Sequence, residues 1–211
     1  MRVATIAFMA VALAAAVSIG RPASAQELER PYPRQGYYLG VGMLGGANHN
    51  WEDGDSLGAW GGNGVAIRLG QMLTRRLGLG LQIYAGGSKK GQEQATAFGL
   101  GLEGQMAVMP RLALHAGVGL GVLQLEDRRI ENEDLRGTYG AEYLLGLSYS
   151  FFPYKRRPSG GLSVTPMVQG RLLPGDNATA LNALVGVELA WWTGLPRNQL
   201  DLPPADAYER R

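Results

Sequence analysis

The chain has 211 residues, no cysteine and 32 glycines. The lack of cysteine excludes a disulfide scaffold and a cysteine-ligated zinc site. Glycine is about twice as frequent as its average of roughly 7 %, but it has no collagen-like period. The net charge of +2 arises from Arg2 and Arg21, because the remaining 18 basic residues match the 18 acidic ones. This neutrality gives no support for nucleic-acid binding.

The first 25 residues have the parts of an export signal. A basic start precedes an apolar run over 3–19, and the segment ends in Ala23-Ser24-Ala25. This order is typical of a secretory signal peptide cleaved after the small-residue site. The alternative is a membrane anchor, but the apolar run is at the short limit for a spanning helix. We therefore expect a signal peptide over 1–25 and a mature chain that begins at Gln26.

The rest of the chain alternates apolar and small residues with period 2, which predicts β-strands. The plainest case is 77–85, where leucine, isoleucine and alanine take one face. Eight such segments lie between Tyr37 and Trp192. The predicted connections cover 47–61, 74–76, 87–94, 109–111, 125–136, 153–159 and 174–177. Short turns at one end and longer polar loops at the other are typical of an outer-membrane barrel, although 174–177 is a short outer loop.

The two faces of the strands predict which side meets lipid. Large apolar residues occupy one face, whereas glycine, alanine, serine, threonine and glutamine dominate the other, as the filled interior of an eight-stranded barrel requires. The sequence thus predicts an all-β fold, an eight-stranded antiparallel up-and-down transmembrane β-barrel over 37–192. A soluble barrel or sandwich is the alternative. An aromatic girdle at the periplasmic end would consist of Tyr37, Tyr149, Phe151 and Trp191.

Charged strand residues all fall on the small-residue face. We expect an interior polar network formed by Arg68, Gln82, Glu103, His115, Glu142, Arg171 and Glu188. Counting residues from the predicted periplasmic end of each strand places Glu142 and Arg171 at about the same height, so we expect them to pair. The same count brings Arg68, Glu103 and Glu188 together near His115 and Gln82.

At this level the chain resembles the small OmpA/OmpX-like outer-membrane barrels of Gram-negative bacteria. The last strand, 186–191, is similar to the terminal strands that the barrel-assembly machinery recognises, with Gly186, Leu189 and Trp191 as the signal. The resemblance differs in Leu184, where a polar residue is usual, and in the tail that follows. It implies periplasmic chaperones and the assembly machinery as partners during biogenesis. We expect a periplasmic N-terminal segment over 26–36 and a flexible periplasmic tail over 193–211.

Two groups of residues are candidates for chemistry. His115 lacks the serine two residues later that would form the His-x-Ser pair of lipid A hydrolases, since that position is Gly117. A structural histidine is therefore expected. A second group could offer oxygen ligands to calcium, but without an EF-hand pattern a solvated loop is favoured. This group comprises His49, Asn50, Glu52, Asp53 and Asp55.

Charged loops suggest contacts with the membrane surface. The segment 126–136 could contact a partner or lipopolysaccharide, although a solvated hairpin tip is the simpler interpretation. Basic residues in the periplasmic turns could meet anionic headgroups or simply be solvated. They are Arg75, Arg76, Arg111, Lys155, Arg156 and Arg157.

These observations lead to a functional expectation. The protein should be an integral protein of the bacterial outer membrane with a structural or surface-interaction role. Its expected partners are outer-membrane lipids and lipopolysaccharide, with no cofactor, metal, nucleic acid or catalysis. The alternatives are an outer-membrane lipid-modifying enzyme and a narrow pore for small solutes.

Overall fold

The computed structural model describes residues 34–52, 54–127, 136–155, 160–176 and 178–194. The predicted signal peptide and nearly all of the predicted tail lie outside these residues. No helix in the described part of the chain is long and apolar enough to cross a membrane. The strands are β1 Tyr37–Glu52, β2 Asp55–Met72, β3 Leu77–Lys90, β4 Glu93–Ala107, β5 Leu112–Asp127, β6 Arg136–Tyr149, β7 Phe151–Lys155, β8 Gly161–Pro174 and β9 Ala178–Trp192.

The strands form one closed antiparallel sheet. Each strand from β1 to β6 pairs with its neighbour in sequence, β9 pairs with both β1 and β8, and β6 closes the barrel against β8. Such closure leaves no exposed sheet edge, which is what a β-structure needs in order to cross a membrane.

The strands β6 and β7 form one wall strand with an interruption. Pairing with β8 stops after Ser148 and resumes at Phe151 in the same register. The position on β8 opposite Tyr149 is Pro166, which has no N–H to donate to a ladder. The interruption therefore falls where one strand cannot donate, and the barrel wall counts eight strands. The predicted fold class is confirmed, with the sixth predicted strand split at Ser150.

The two ends of the barrel differ from expectation in one respect. At the end predicted to be periplasmic, β2–β3 and β4–β5 are joined by 73–76 and 108–111, close to the predicted turns. At the outer end the loops predicted at 47–61 and 87–94 are largely strand, because β1 stays paired with β2, and β3 with β4, nearly to the hairpin tips. Backbone pairing continues there because polar side chains beyond the membrane can face water without breaking the ladder.

The barrel turns large apolar side chains outward through its membrane-spanning part. Exposed residues include Leu39, Leu81, Leu102, Leu120 and Val187, whereas the alternate positions are buried. Strands of 14–18 residues exceed the roughly 9–11 residues that a tilted strand needs to cross the bilayer. The outer ends of the long strands therefore extend beyond the hydrocarbon.

Inside these outer extensions lies an apolar core. It consists of Trp60, Ala95, Leu123, Leu125, Leu173, Ala178 and Ala180. The Trp60 indole N–H donates to the carbonyl of Leu57 at 3.2 Å, so the one polar atom of this large side chain is satisfied. The core fills the outer mouth of the barrel with packed side chains.

Candidate functional site

The upper part of the lumen holds an ion pair between neighbouring strands. Arg171 of β8 is placed beside β6, and its Nη1 lies 3.2 Å from Oε1 of Glu142. The guanidinium also lies over the ring of Tyr84, 3.9 Å from the ring centroid. The backbone of Gly99 faces the Glu142 carboxylate so closely that a β-carbon would collide with it. Glycine on one strand thus makes room for a charge on another.

Below this pair Arg68 lies between two carboxylates. Its Nε is 3.4 Å from Glu103 Oε2 and 3.5 Å from Glu188 Oε2, and its Nη2 donates to Gln169 Oε1 at 3.1 Å. A β-carbon on Gly40 would come within 2.9 Å of Glu188 Oε2. All of these side chains are buried. Because the side chains are buried, each charge depends on its partners.

His115 joins the lower cluster to a serine. Its Nδ1 lies 2.8 Å from Glu103 Oε1, and its Nε2 lies 2.6 Å from Ser148 Oγ. The carboxylate accepts, so Nδ1 carries the hydrogen and Nε2 accepts from the hydroxyl. On the strand of His115 itself, the position two residues later is Gly117, so the sequence indicated no serine partner. The structure supplies Ser148 from the neighbouring strand, which only the pairing of β5 with β6 could reveal.

Arg34 enters the lumen from the end that carries the turns 73–76 and 108–111. Its Nη2 donates to Ser150 Oγ at 2.6 Å and to the carbonyl of Arg111 at 2.8 Å, and it also reaches Ser148 Oγ at 3.4 Å. Burial lowers the pKa of Arg34 to about 10, so the guanidinium keeps its proton at neutral pH. The end of the predicted periplasmic segment is therefore inserted in the barrel, which the sequence did not indicate.

The structure places all seven residues of the predicted polar network inside the barrel. Gln82 lines a small cavity together with Glu142 and Arg171, between the upper pair and the lower cluster. Among the described residues, the buried charges are three arginines, at 34, 68 and 171, and three glutamates, at 103, 142 and 188. With His115 neutral, the lumen carries no net charge, which limits the cost of burying it.

The predicted aromatic girdle residues all point outward at the end that carries the turns 73–76 and 108–111. Tyr37, Tyr149, Phe151 and Trp191 are exposed, and the rings of Tyr149 and Phe151 lie 4.9 Å apart. In the predicted assembly signal, a β-carbon on Gly186 would collide with the Met43 carbonyl of β1. That glycine is therefore required by the close approach of β9 to β1.

Among the described residues, the remaining candidates do not form a metal or ligand site. The His49 ring packs against that of Trp51 in a tilted arrangement and contacts Ser56 Oγ at 2.9 Å, while Asp53 lies outside the described residues. No cluster of three or more potential metal-ligating residues occurs in the part of the chain that the structure describes. Arg75 and Arg76 lie in the periplasmic turn 73–76, and Arg111 contributes only its carbonyl to the lumen network.

A closed eight-stranded barrel with an apolar outer band and a charged lumen defines an integral outer-membrane protein. The model of the outer membrane protein beta-barrel domain matches residues 9–153, and the chain belongs to this family. It is a protein of the bacterial outer membrane, in contact with that membrane's lipids.

Comparison with solved structures agrees with the fold. The crystal structure of Ail, the attachment invasion locus protein of Yersinia pestis, is similar with a TM-score of 0.53 and 12 % identity, covering 74 % of this chain and 99 % of Ail. Neisserial surface protein A is similar with a TM-score of 0.49 and 13 % identity, covering 74 % of this chain and 97 % of that one. A sequence comparison with curated proteins finds no significant match.

Proposed function

We propose that the protein is a closed outer-membrane barrel with a structural or surface-interaction role. The observation that carries this proposal is the occlusion of the lumen at three heights. The outer core around Trp60 and Leu123 fills one mouth, the two arginine–glutamate groups cross the middle, and Arg34 lies in the periplasmic mouth. This role requires no catalysis, and a narrow pore would require these side chains to move apart.

The outer extensions support contact with the cell surface. Their outward side chains are polar and exposed, among them Lys89, Thr96, Gln124 and Glu126. We expect them to lie at the height of lipopolysaccharide headgroups, where hydroxyl, amide and charged groups can bind sugar and phosphate. Lipopolysaccharide is thus the surface partner that this proposal names.

Biogenesis follows from the same proposal. The precursor is exported, cleaved after Ala25, carried by periplasmic chaperones and inserted by the barrel-assembly machinery through β9. The exposed Leu189 and Trp191 and the sterically required Gly186 support β9 as the recognised strand. N-terminal sequencing of the membrane-embedded protein should begin at Gln26, and a mature form that retains Met1 would contradict export by cleavage.

The test of the closed barrel is conductance in planar lipid bilayers. The purified protein should show no stepwise current, whereas regular steps from the wild-type protein would favour the pore. An epitope inserted at Gly54 should be reachable on intact cells, and one inserted at Arg75 should not. Reversed accessibility would overturn the orientation and with it the surface role.

A further inference from the structure

The hydrogen-bonded chain from Glu103 through His115 to Ser148 has the geometry of an activated nucleophile. A hydroxyl 2.6 Å from Nε2 of an imidazole, itself held at 2.8 Å by a carboxylate, is the arrangement that prepares a serine for attack. We propose that Ser148 accepts acyl groups from ester-linked membrane phospholipids. This activity goes beyond the structural role and does not depend on it.

Arg34 supplies the group that such a reaction needs for its developing negative charge. The guanidinium reaches Ser148 Oγ through Nη2, and its Nη1 is buried without a hydrogen-bond partner among the described residues. The guanidinium that contacts Ser148 thus keeps a hydrogen-bond donor free for the oxyanion that attack by Ser148 would form on the substrate carbonyl. Donors placed in advance at that position are commonly the largest contribution to acyl-transfer catalysis.

The interruption of the wall beside Ser148 offers a route from the membrane. The ladder between β6 and β8 stops after Ser148, where Pro166 faces the interruption. We call this junction of β6 and β8 the seam. An apolar groove of about 520 Å³ lies on the outer surface there, lined by Leu147, Ser148, Tyr149, Pro166 and Met167 among others. The groove is lined both by outward-facing residues and by residues whose side chains face the lumen. Only the backbone at the seam therefore separates the groove from Ser148 Oγ.

The height of the seam identifies the substrate class. Tyr149 belongs to the outward aromatic residues of the periplasmic end, and such rings lie at the membrane–water interface. Ester carbonyls of inner-leaflet phospholipids lie in the same zone, while their acyl chains extend into the hydrocarbon along the groove. The occupant of the groove is therefore one acyl chain of an inner-leaflet glycerophospholipid.

The reaction proceeds in two balanced steps. Ser148 Oγ attacks the ester carbonyl carbon while its proton passes to His115 Nε2, and Arg34 donates to the resulting oxyanion. The bond to the glycerol oxygen breaks, and that oxygen takes the proton from His115 to leave as lysophospholipid. Water then attacks the acyl-serine with His115 as base, releasing a fatty acid and restoring Ser148. Glu103 acts through His115 and is a positioning residue.

The first test is labelling by a long-chain alkyl fluorophosphonate in detergent micelles, followed by peptide mass spectrometry. The probe should modify Ser148 of the wild-type protein, and Ser148→Ala should abolish labelling. Ser163→Ala is the matched control, because Ser163 is another buried lumen serine that bonds to the Ala190 carbonyl and the Trp192 indole, and this variant should still be labelled at Ser148. An unlabelled wild-type protein, or equal labelling of both variants, would overturn the proposal.

The roles of His115 and Glu103 are tested by the rate at which the probe inactivates the protein. His115→Gln should slow inactivation about 10²–10⁴-fold, the usual contribution of a general base. Glu103→Gln should slow the step without changing the half-saturating probe concentration, while far-UV circular dichroism reports an intact barrel. Unchanged rates in both folded variants would show that the hydrogen bonds are only structural and overturn the proposal.

The membrane route is tested with Leu147→Cys combined with Val168→Cys. These positions are paired on β6 and β8 beside the interruption, line the groove and point outward, and the chain has no other cysteine. Oxidation should block labelling and the release of lysophospholipid from phosphatidylethanolamine vesicles, and reduction should restore both. If the oxidised form reacts as fast as the reduced one, substrate does not arrive through the seam, and a membrane lipid is not the substrate.

Discussion

The two faces of β5 exchange their chemistry between the membrane-spanning part of the strand and its outer part. In the lower part Leu114, Val118 and Leu120 point outward, while His115 points into the lumen. In the upper part Leu123 and Leu125 point inward and belong to the outer core, while Gln124 and Glu126 point outward. The backbone alternation continues unchanged through the reversal.

The reversal shows that the environment outside the wall decides which face is apolar. Where lipid surrounds the barrel, apolar side chains face outward and the lumen takes the charges. Where water surrounds it, the outward face of β5 is polar and its inward face joins a packed apolar core, as in a soluble barrel. The height at which the faces exchange marks the outer boundary of the hydrocarbon, near residues 122–124.

The largest effect is expected from Arg68→Ala in the lower lumen. The change leaves Glu103 and Glu188 without their shared cation, and breaking a buried pair in this way costs about 3–5 kcal/mol. Thermal unfolding in detergent, followed by circular dichroism, should shift far more than for Arg75→Ala in the exposed turn. Equal melting temperatures would mean that the lumen charges do not depend on one another.

In the outer core we expect Leu123→Ala to destabilise the barrel through lost packing. A buried leucine truncated to alanine costs about 2–5 kcal/mol. The control is Leu114→Ala on the lipid-facing side of the same strand, where detergent fills the space. The same unfolding measurement should show the larger loss for Leu123→Ala, and the opposite order would contradict an apolar core at this height.

The boundary itself can be tested on one face of β5. Leu120→Arg places a cation in the lipid band at a cost of roughly 2–4 kcal/mol near the midplane, whereas Gln124→Arg places it in water. Urea unfolding in phospholipid vesicles should separate the two variants. Similar losses of stability would place residue 124 inside the hydrocarbon and remove the contrast between the membrane-spanning and outer parts of β5.

The smallest effect is expected from Trp192→Phe at the periplasmic end. The change removes the indole N–H that donates to Ser163 Oγ at 3.1 Å, and a neutral hydrogen bond contributes about 0.5–1.5 kcal/mol. Trp191→Phe removes an indole on the outward face and serves as the comparison. Only the Trp192 variant should melt measurably earlier if the lumen hydrogen bonds contribute to stability.

Much of the membrane-spanning part followed from the sequence because period 2 is a local property. Each strand's large apolar face had to meet lipid, so the charges at Arg68 and Glu142 had to point inward. Counting residues from the turns was enough to bring Glu142 level with Arg171, since neighbouring strands share a hairpin. The prediction of loops at the outer strand ends was wrong, because polar sequences such as 87–94 continue a ladder as readily as they form a loop.

What only the tertiary structure decided depends on strand pairing across the barrel. Counting from the turns placed Glu103 near His115, but the contact of His115 with Ser148 on a third strand requires a register that no local pattern contains. The insertion of Arg34 is likewise invisible in the sequence, because an arginine in a terminal segment finds its acceptors on β6 and in the turn before β5 only after the barrel has closed. Period and polarity determine which way a side chain points, but closure and register determine which side chain it meets.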